Sequence, residues 1–285
     1  MGDMLSMKIR FSADSTCDMN AAFLERYPVE VLPLTVELEG KSYRDGVDIK
    51  PDEIISRVNA GADLPKTAAV NTEDYRAAFT RMLEDCDAVI HFNISSDFSC
   101  CHQNAVLAAE GLPVYCIDSR NLSSGTALLI CEAYDRMEAG MPADRIAEEV
   151  RNMTDKVDTS FILDRLDYLY KGGRCSMISL LGANVLHIRP CIEVTGGKMV
   201  VGKKYRGTYE RCLRQYLADR LHAKDAIVPQ RVFLTHTGVS DVAIQKILDI
   251  VKAEIPFAEV YETRAGCSIT CHCGENCFGI LMVRK

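Results

Sequence analysis

Three stretches of the chain end an apolar run in a cluster of small polar side chains. They are Asp14-Ser15-Thr16 after Lys8 to Ser12, Asn93 to Ser99 after Ala88 to Phe92, and Asp118-Ser119 with Asn121, Ser123 and Ser124 after Pro113 to Ile117. Hydroxyls and carboxamides in such loops donate and accept hydrogen bonds without a formal charge. Ser99 precedes a helical segment, Cys100 to Glu110, whose first N–H groups and positive dipole end favour an anion. Thr67, in Pro65-Lys66-Thr67, and Ser95 are expected to converge on the same spot. Ser, Thr and Asp are also ordinary helix caps, so one such loop alone says little, and it is the repetition that points to a ligand. Neutral hydroxyls and backbone N–H groups suit a carboxylate that is held and released, whereas a phosphate-rich ligand calls for several Arg or Lys. Only Lys66 and Arg120 stand beside these loops.

The elements that position these loops follow from periodicity. Strand, polar loop and helix recur three times in the first half, which predicts right-handed crossovers and a parallel sheet covered by helices on both faces. Ligands of such sheets bind beyond the carboxyl ends of the strands, where the hydroxyl-rich loops fall. Val29 to Leu38 reads as extended chain broken by Pro33, placed at a sheet edge or in an excursion between domains. Thr159 to Leu163 is a strand that hands the chain to a second domain. There Asp164 is expected to cap a short helix ended by Gly172 and Gly173, and Met177 to Leu186 reads as another helix. Ile188 to Val194 should pair with Met199 to Tyr205 across Gly196 and Gly197, a hairpin that means antiparallel sheet. The fold class expected is α/β: an N-terminal parallel-sheet α/β domain over residues 7–160, an α+β domain over 161–285, and a ligand between them.

Bulk properties narrow the function. A formal charge of −7 without a basic stripe argues against nucleic acid, whose phosphates need clustered Lys and Arg. Apolar runs such as Ile280 to Val283 fall far short of the roughly 20 residues that cross a bilayer, and Met1 to Met7 lacks the features of a signal peptide, so a cytoplasmic protein is expected. The 13 cysteines are scattered, many in apolar runs, and are expected to be reduced thiols acting as small hydrophobes.

An ordered set of motifs resembles the DegV family: Asp14-Ser15-Thr16-x-Asp18, Tyr43-x-Asp45-Gly46-x-Asp48-Ile49, Pro65-Lys66-Thr67, Ser95-Ser96-x-x-Ser99, Asp118-Ser119, Leu169-x-Lys171-Gly172-Gly173-Arg174-x-Ser176, Ile188-Arg189-Pro190, His236-Thr237-Gly238 and His272-Cys273-Gly274 with Gly279. What the resemblance implies is a long-chain fatty acid between the two domains. Its carboxylate would meet Thr67 and Ser99, flanked by His272 and Arg174, with Ser15, Ser95 and Cys100 in the same ligand-binding set. Cys100 stands where the family often has glycine in a Ser-Gly-Thr sequence. The acyl chain would be buried in the second domain, with Ile178, Leu180, Leu181, Val185, Leu186 and Ile188 as lining. The protein would be a non-catalytic carrier that presents its ligand to a fatty acid kinase partner, with no metal and no cofactor beyond the bound fatty acid.

Two other functions compete. Cys267, Cys271, His272, Cys273 and Cys277 form a dense cluster that would suit a metal or redox site, although the spacing matches neither zinc nor ferredoxin patterns. A stand-alone acyl hydrolase or transferase would use Ser99 or a cysteine with His272, but there is no GxSxG elbow, Walker sequence or GxGxxG.

Overall fold

The computed structural model of the chain describes residues 7–175 and 188–285. The helix expected from Met177 to Leu186, Ser176, and the lining residues Ile178, Leu180, Leu181, Val185 and Leu186 therefore lie outside the described residues.

β1 (Ile9–Asp14) and β2 (Val29–Leu32) flank the short helix α1 (Ala21–Arg26), whose first turn is closed by the Asn20 carboxamide accepting the Phe23 N–H at 2.9 Å. Pro33 has no N–H for a ladder. Past it the chain leaves the first sheet and forms an antiparallel sheet of β3 (Thr35–Leu38), β4 (Lys41–Arg44) and β5 (Lys66–Ala68), with α2 (Pro51–Asn59) between the last two strands. Of Val29 to Leu38, β2 thus lies at the edge of the first sheet, as one of the two expected placements has it, and β3 belongs to a separate three-stranded sheet.

After α3 (Thr72–Met82), the strand β6 (Ala88–Asn93), the helix α4 (Cys101–Ala109) and the strand β7 (Val114–Asp118) complete a parallel sheet in the order β2-β1-β6-β7. Every residue of β6 is buried, as a strand covered on both faces requires. Val89 packs with Tyr75, Phe79 and Ala105 of α3 and α4. Ile90 and Phe92 point the other way, into a cluster with Leu128 of α5 (Ser124–Glu138) and Ile146 of α6 (Ala143–Arg151).

β8 (Val157–Ile162) opens a second, six-stranded sheet. α7 (Asp167–Gly172) follows, then the hairpin β9 (Ile188–Thr195) and β10 (Lys198–Arg206), turned by Gly196 and Gly197 at φ 56° and 82°. Both angles lie where only glycine sits without strain, and they suit a two-residue hairpin turn. The chain continues through α8 (Tyr209–Leu221), β11 (Ile227–Thr237), α9 (Asp241–Glu254), β12 (Glu259–Arg264), α10 (Cys267–Cys273) and β13 (Cys277–Arg284). The order is β10-β9-β8-β13-β11-β12, antiparallel except for β11 with β12, which α9 joins as a crossover. The protein is therefore an N-terminal parallel α/β unit followed by an α+β unit. One expected cap is corrected: Asp164 does not close α7 but accepts from the Arg189 guanidinium at 2.6 and 2.9 Å, because the arginine on β9 reaches it.

α5 lies between the two large sheets, packing on β6 and on β8, β11 and β13. At its start the Ser124 hydroxyl shares hydrogen bonds of 2.6 and 3.0 Å with Thr235 and Thr263 of the second sheet. A buried hydroxyl needs such a partner, so this cluster fixes how one sheet faces the other.

Candidate functional site

α10 has seven residues and would not form alone, since a helix this short does not repay its nucleation. It is held from outside. Asp45 accepts the Cys267 and Ser268 N–H groups at 3.0 and 3.1 Å, and Asp18 accepts the Gly266 N–H at 2.8 Å. Ser15 in turn donates its hydroxyl to Asp45 at 2.8 Å and accepts the Leu34 N–H at 3.0 Å, while Ser123 donates to Asp18. Free N–H groups at a helix start favour carboxylates, and here they come from the first fifth of the chain. Burial pushes the Asp18 carboxyl up to about 8, despite the bonds from Ser123 and Gly266 that lower it.

α10 presents Ser268, Ile269, His272 and Cys273 to a cavity of about 50 Å³. Thr67 of β5, Ser99 ahead of α4, Thr16 after β1 and Arg174 after α7 line the same cavity, with Ile94, Phe98, Leu122 and Met199 as apolar wall. Thr67 Oγ1 and His272 Nε2 share a hydrogen bond of 2.9 Å, and the buried His272 Nδ1 has no hydrogen-bond partner among the described residues. Burial, with the Arg174 cation adding to it, pushes His272 down to about 4, so the imidazole is neutral at physiological pH. Arg174 spends Nε on the Phe98 carbonyl at 3.3 Å and Nη1 on the Gly172 carbonyl at 2.6 Å, which fixes the guanidinium at the rim. Gly172 lies so close to His272 that a Cβ there would stand 2.3 Å from Nδ1. Behind the first cavity is a smaller one of about 20 Å³, lined mainly by apolar groups such as Phe161, Cys277 and Leu281. Leu122, Ile269 and Cys273 form a wall common to both.

Four of the seven expected ligand residues, Thr67, Ser99, Arg174 and His272, therefore line one cavity. Three are placed elsewhere. Ser15 is committed to Asp45 and Leu34, Ser95 donates to the Gly197 carbonyl at 2.7 Å and so ties its loop to the β9–β10 turn, and Cys100 is exposed at the start of α4. Lys66 is exposed, Arg120 pairs with Asp155 at 3.2 Å, and neither enters the cavity wall. Ile188, the one expected lining residue that is described, sits half-buried on β9 outside that wall. Thr16 and Ser268 were not singled out as ligand residues, although Thr16 stands inside the Asp14-Ser15-Thr16 motif that marked the loop.

The cysteine cluster separates in space. Cys267 and Cys271 pack with Val36, Leu38 and Ile54, whereas Cys273 and Cys277 join the core beside the cavity. Among the described residues no group of three His, Cys, Asp or Glu is arranged to hold a metal ion. Burial pushes the Cys267 thiol up to about 12 and raises Cys271, and a hydrogen bond with Cys273 followed by burial raises Cys277, the opposite of a reactive thiolate. Ser99 donates to Cys101 Sγ at 3.2 Å and His272 bonds Thr67, so the nucleophile and base of an acyl hydrolase are not paired.

The family model described as "Uncharacterised protein, DegV family" matches residues 8–285. The chain belongs to the DegV family. It is 27% identical over 285 residues to a fatty acid-binding protein of Thermotoga maritima, covering 96% of each chain. Among solved structures it resembles one described as fatty acid binding of a DegV family protein from Thermus thermophilus, with TM-score 0.87, 26% identity, and 98% and 100% of the two chains covered. The fold is also that of the Streptococcus pneumoniae fatty acid kinase B3 protein loaded with linoleic acid, at TM-score 0.83, 20% identity, and coverage of 98% and 100%.

Two outcomes test this geometry without a ligand. Gly172→Ala should drive the His272 ring off Thr67, because the added Cβ would stand 2.3 Å from Nδ1. NMR titration should then show His272 moving from about 4 toward the ordinary imidazole range. Asp18 is raised in the folded protein from 3.8 to about 8, so its contribution is fully present below pH 3.8 and is lost as pH climbs to about 8. Urea unfolding should show Asp18→Asn gaining on the wild type by on the order of 1 kcal/mol per pH unit across that window.

Proposed function

We propose that this protein holds a long-chain fatty acid by its carboxylate and presents it to a partner kinase, which transfers a phosphoryl group to that carboxylate. The observation that carries this is the cavity where Thr67, Ser99 and neutral His272 meet beside the Arg174 cation, and behind which the wall turns apolar. Uncharged donors fit a monoanionic acid group, which must be oriented and later released, and the Arg174 guanidinium at the rim is left for the transfer step. The fatty acid-binding relatives from Thermotoga maritima and Thermus thermophilus support the same ligand class.

The head-group residues come from both parts of the chain: Thr67 and Ser99 from the expected domain of residues 7–160, Arg174 and His272 from that of 161–285. In the proposal the acid group therefore sits between the domains. Cavities of about 50 and 20 Å³ have room for only a few waters. The acyl chain enters by parting the shared wall of Leu122, Ile269 and Cys273, two of which ride on α10. Each methylene buried contributes about 0.8 kcal/mol, so the tail supplies most of the affinity and the head group the orientation. Arg174, at the rim, meets the charge that develops during phosphoryl transfer. Among the described residues no helix is long and apolar enough to cross a membrane, and the proposed carrier works in the cytoplasm, where a kinase finds ATP.

Mass spectrometry of lipid extracted from the protein purified without added ligand should find a stoichiometric long-chain fatty acid. Thr67→Ala and Ser99→Ala should each weaken binding by about 1.5 to 3 kcal/mol, the scale of a hydrogen bond to a charged group. Unchanged affinity in the double variant would remove the carboxylate from this place. Arg174→Ala should leave fatty-acid affinity nearly intact and slow kinase-dependent acyl phosphate formation. Equal losses in both assays would deny it the assigned role.

A further inference from the structure

Behind the cavity lies a buried hydrogen-bond network that begins and ends at its wall. On one side Thr16 donates both its hydroxyl and its N–H, the latter at 3.3 Å, to Oδ1 of the wholly buried Asp14. Asp14 Oδ2 accepts the Ile94 N–H at 2.9 Å and faces the Asn93 carboxamide at 3.5 Å. Asn93 Nδ2 also reaches the Tyr75 hydroxyl at 3.2 Å and His91 Nε2 at 2.9 Å, and its Oδ1 meets His102 Nδ1 at 3.2 Å. Tyr75 bonds Cys101, whose thiol accepts from Ser99 at 3.2 Å, and Ser99 is again in the cavity wall. The fatty-acid function proposed above makes no use of these buried ionisable groups.

We propose that Asp14 is a positioning residue of the acid site, whose protonation decides which way the Thr16 hydroxyl donates and couples binding of the acid group to uptake of one proton. With Asp14 ionised, the Thr16 proton is committed to it, and the hydroxyl offers the cavity only acceptor lone pairs, which repel a carboxylate. With Asp14 protonated on Oδ1, that O–H donates to Thr16 Oγ1 and frees the Thr16 proton to point at the ligand. A second negative charge beside the buried Asp14 adds to this preference.

Among the described residues the titratable groups around Asp14 are Tyr75 of α3, His91 of β6, Cys101 and His102 of α4, and Cys17 and Asp18 of the turn after β1. None supplies a cation near neutrality: burial holds His91 at about 3 and lowers His102. Burial raises Asp14 to about 6, against the opposing pull of its hydrogen bonds, so the free protein is mostly ionised there at pH 7. An anion in the cavity raises it further. Affinity is then constant below pH 6 and falls as pH climbs from that value to the higher one of the complex.

The inference rests on the fatty-acid function, and the experiment separates the two. Oleate binding is measured by calorimetry from about pH 5.5 to 8.5, in paired buffers of different ionisation enthalpy, for wild type, Asp14→Asn and Thr16→Val. The wild type should take up a proton near neutral pH and lose up to about tenfold in affinity per pH unit. Both variants should bind with a flatter profile and less uptake, because the ligand's own ionisation is common to all three. Should Asp14→Asn not fold, Thr16→Val and the wild-type proton count decide. Oleate bound with equal slope and uptake in wild type and variants overturns the role of Asp14 and leaves the fatty-acid function standing. Oleate bound at no pH overturns both.

Discussion

The candidate site depends on one constraint: Asp45 and Asp18 hold the first N–H groups of α10, a helix too short to exist without them. That helix carries Ile269, His272 and Cys273 to the cavity, and its clamps come from residues more than 200 positions earlier in the chain. The cavity wall therefore forms only when the N-terminal loops and the C-terminal helix are assembled together. The cost is visible in Asp18, which burial drives up to about 8. A folded protein keeps such a group when the geometry it secures is worth more than the charge it loses.

The second feature of the site is how little charge it carries. His272 is neutral, Thr67 and Ser99 are hydroxyls, and Arg174 is already partly spent on two backbone carbonyls. In the function proposed here such a wall orients an acid without gripping it as a cluster of arginines would. That suits a carrier, whose ligand must be tight enough to keep from water and loose enough to pass on. Apolar burial supplies the tightness and scales with chain length.

The hydroxyl loops were legible in the sequence because turn chemistry is local: Ser, Thr and Asp after an apolar run mark a strand's carboxyl end whatever follows. Their individual tasks were not. Ser15, Ser95 and Ser99 look alike in sequence, yet Ser15 supports Asp45, Ser95 ties down the β9–β10 turn and only Ser99 reaches the cavity. Which hydroxyl faces a ligand and which faces the scaffold depends on the partner across the fold. Likewise the cysteines from Cys267 to Cys277 formed one cluster in sequence and two in space, because Cys267 and Cys271 share a face of α10 one turn apart while Cys273 lies on another.

By itself the sequence determined the parallel first sheet, the hairpin at Gly196 and Gly197, the family, and the uncharged character of the hydroxyl loops. All of these rest on period, turn residues and short ordered motifs, which act over a few neighbours. Only the tertiary structure decided that Thr67 meets His272 from 205 positions away, that Gly172 must lack a side chain to admit that ring, and that Asp14 sits in a buried network behind the cavity wall. Such pairings are set by how packed layers bring distant strand ends and helix starts together, and no local pattern encodes that distance.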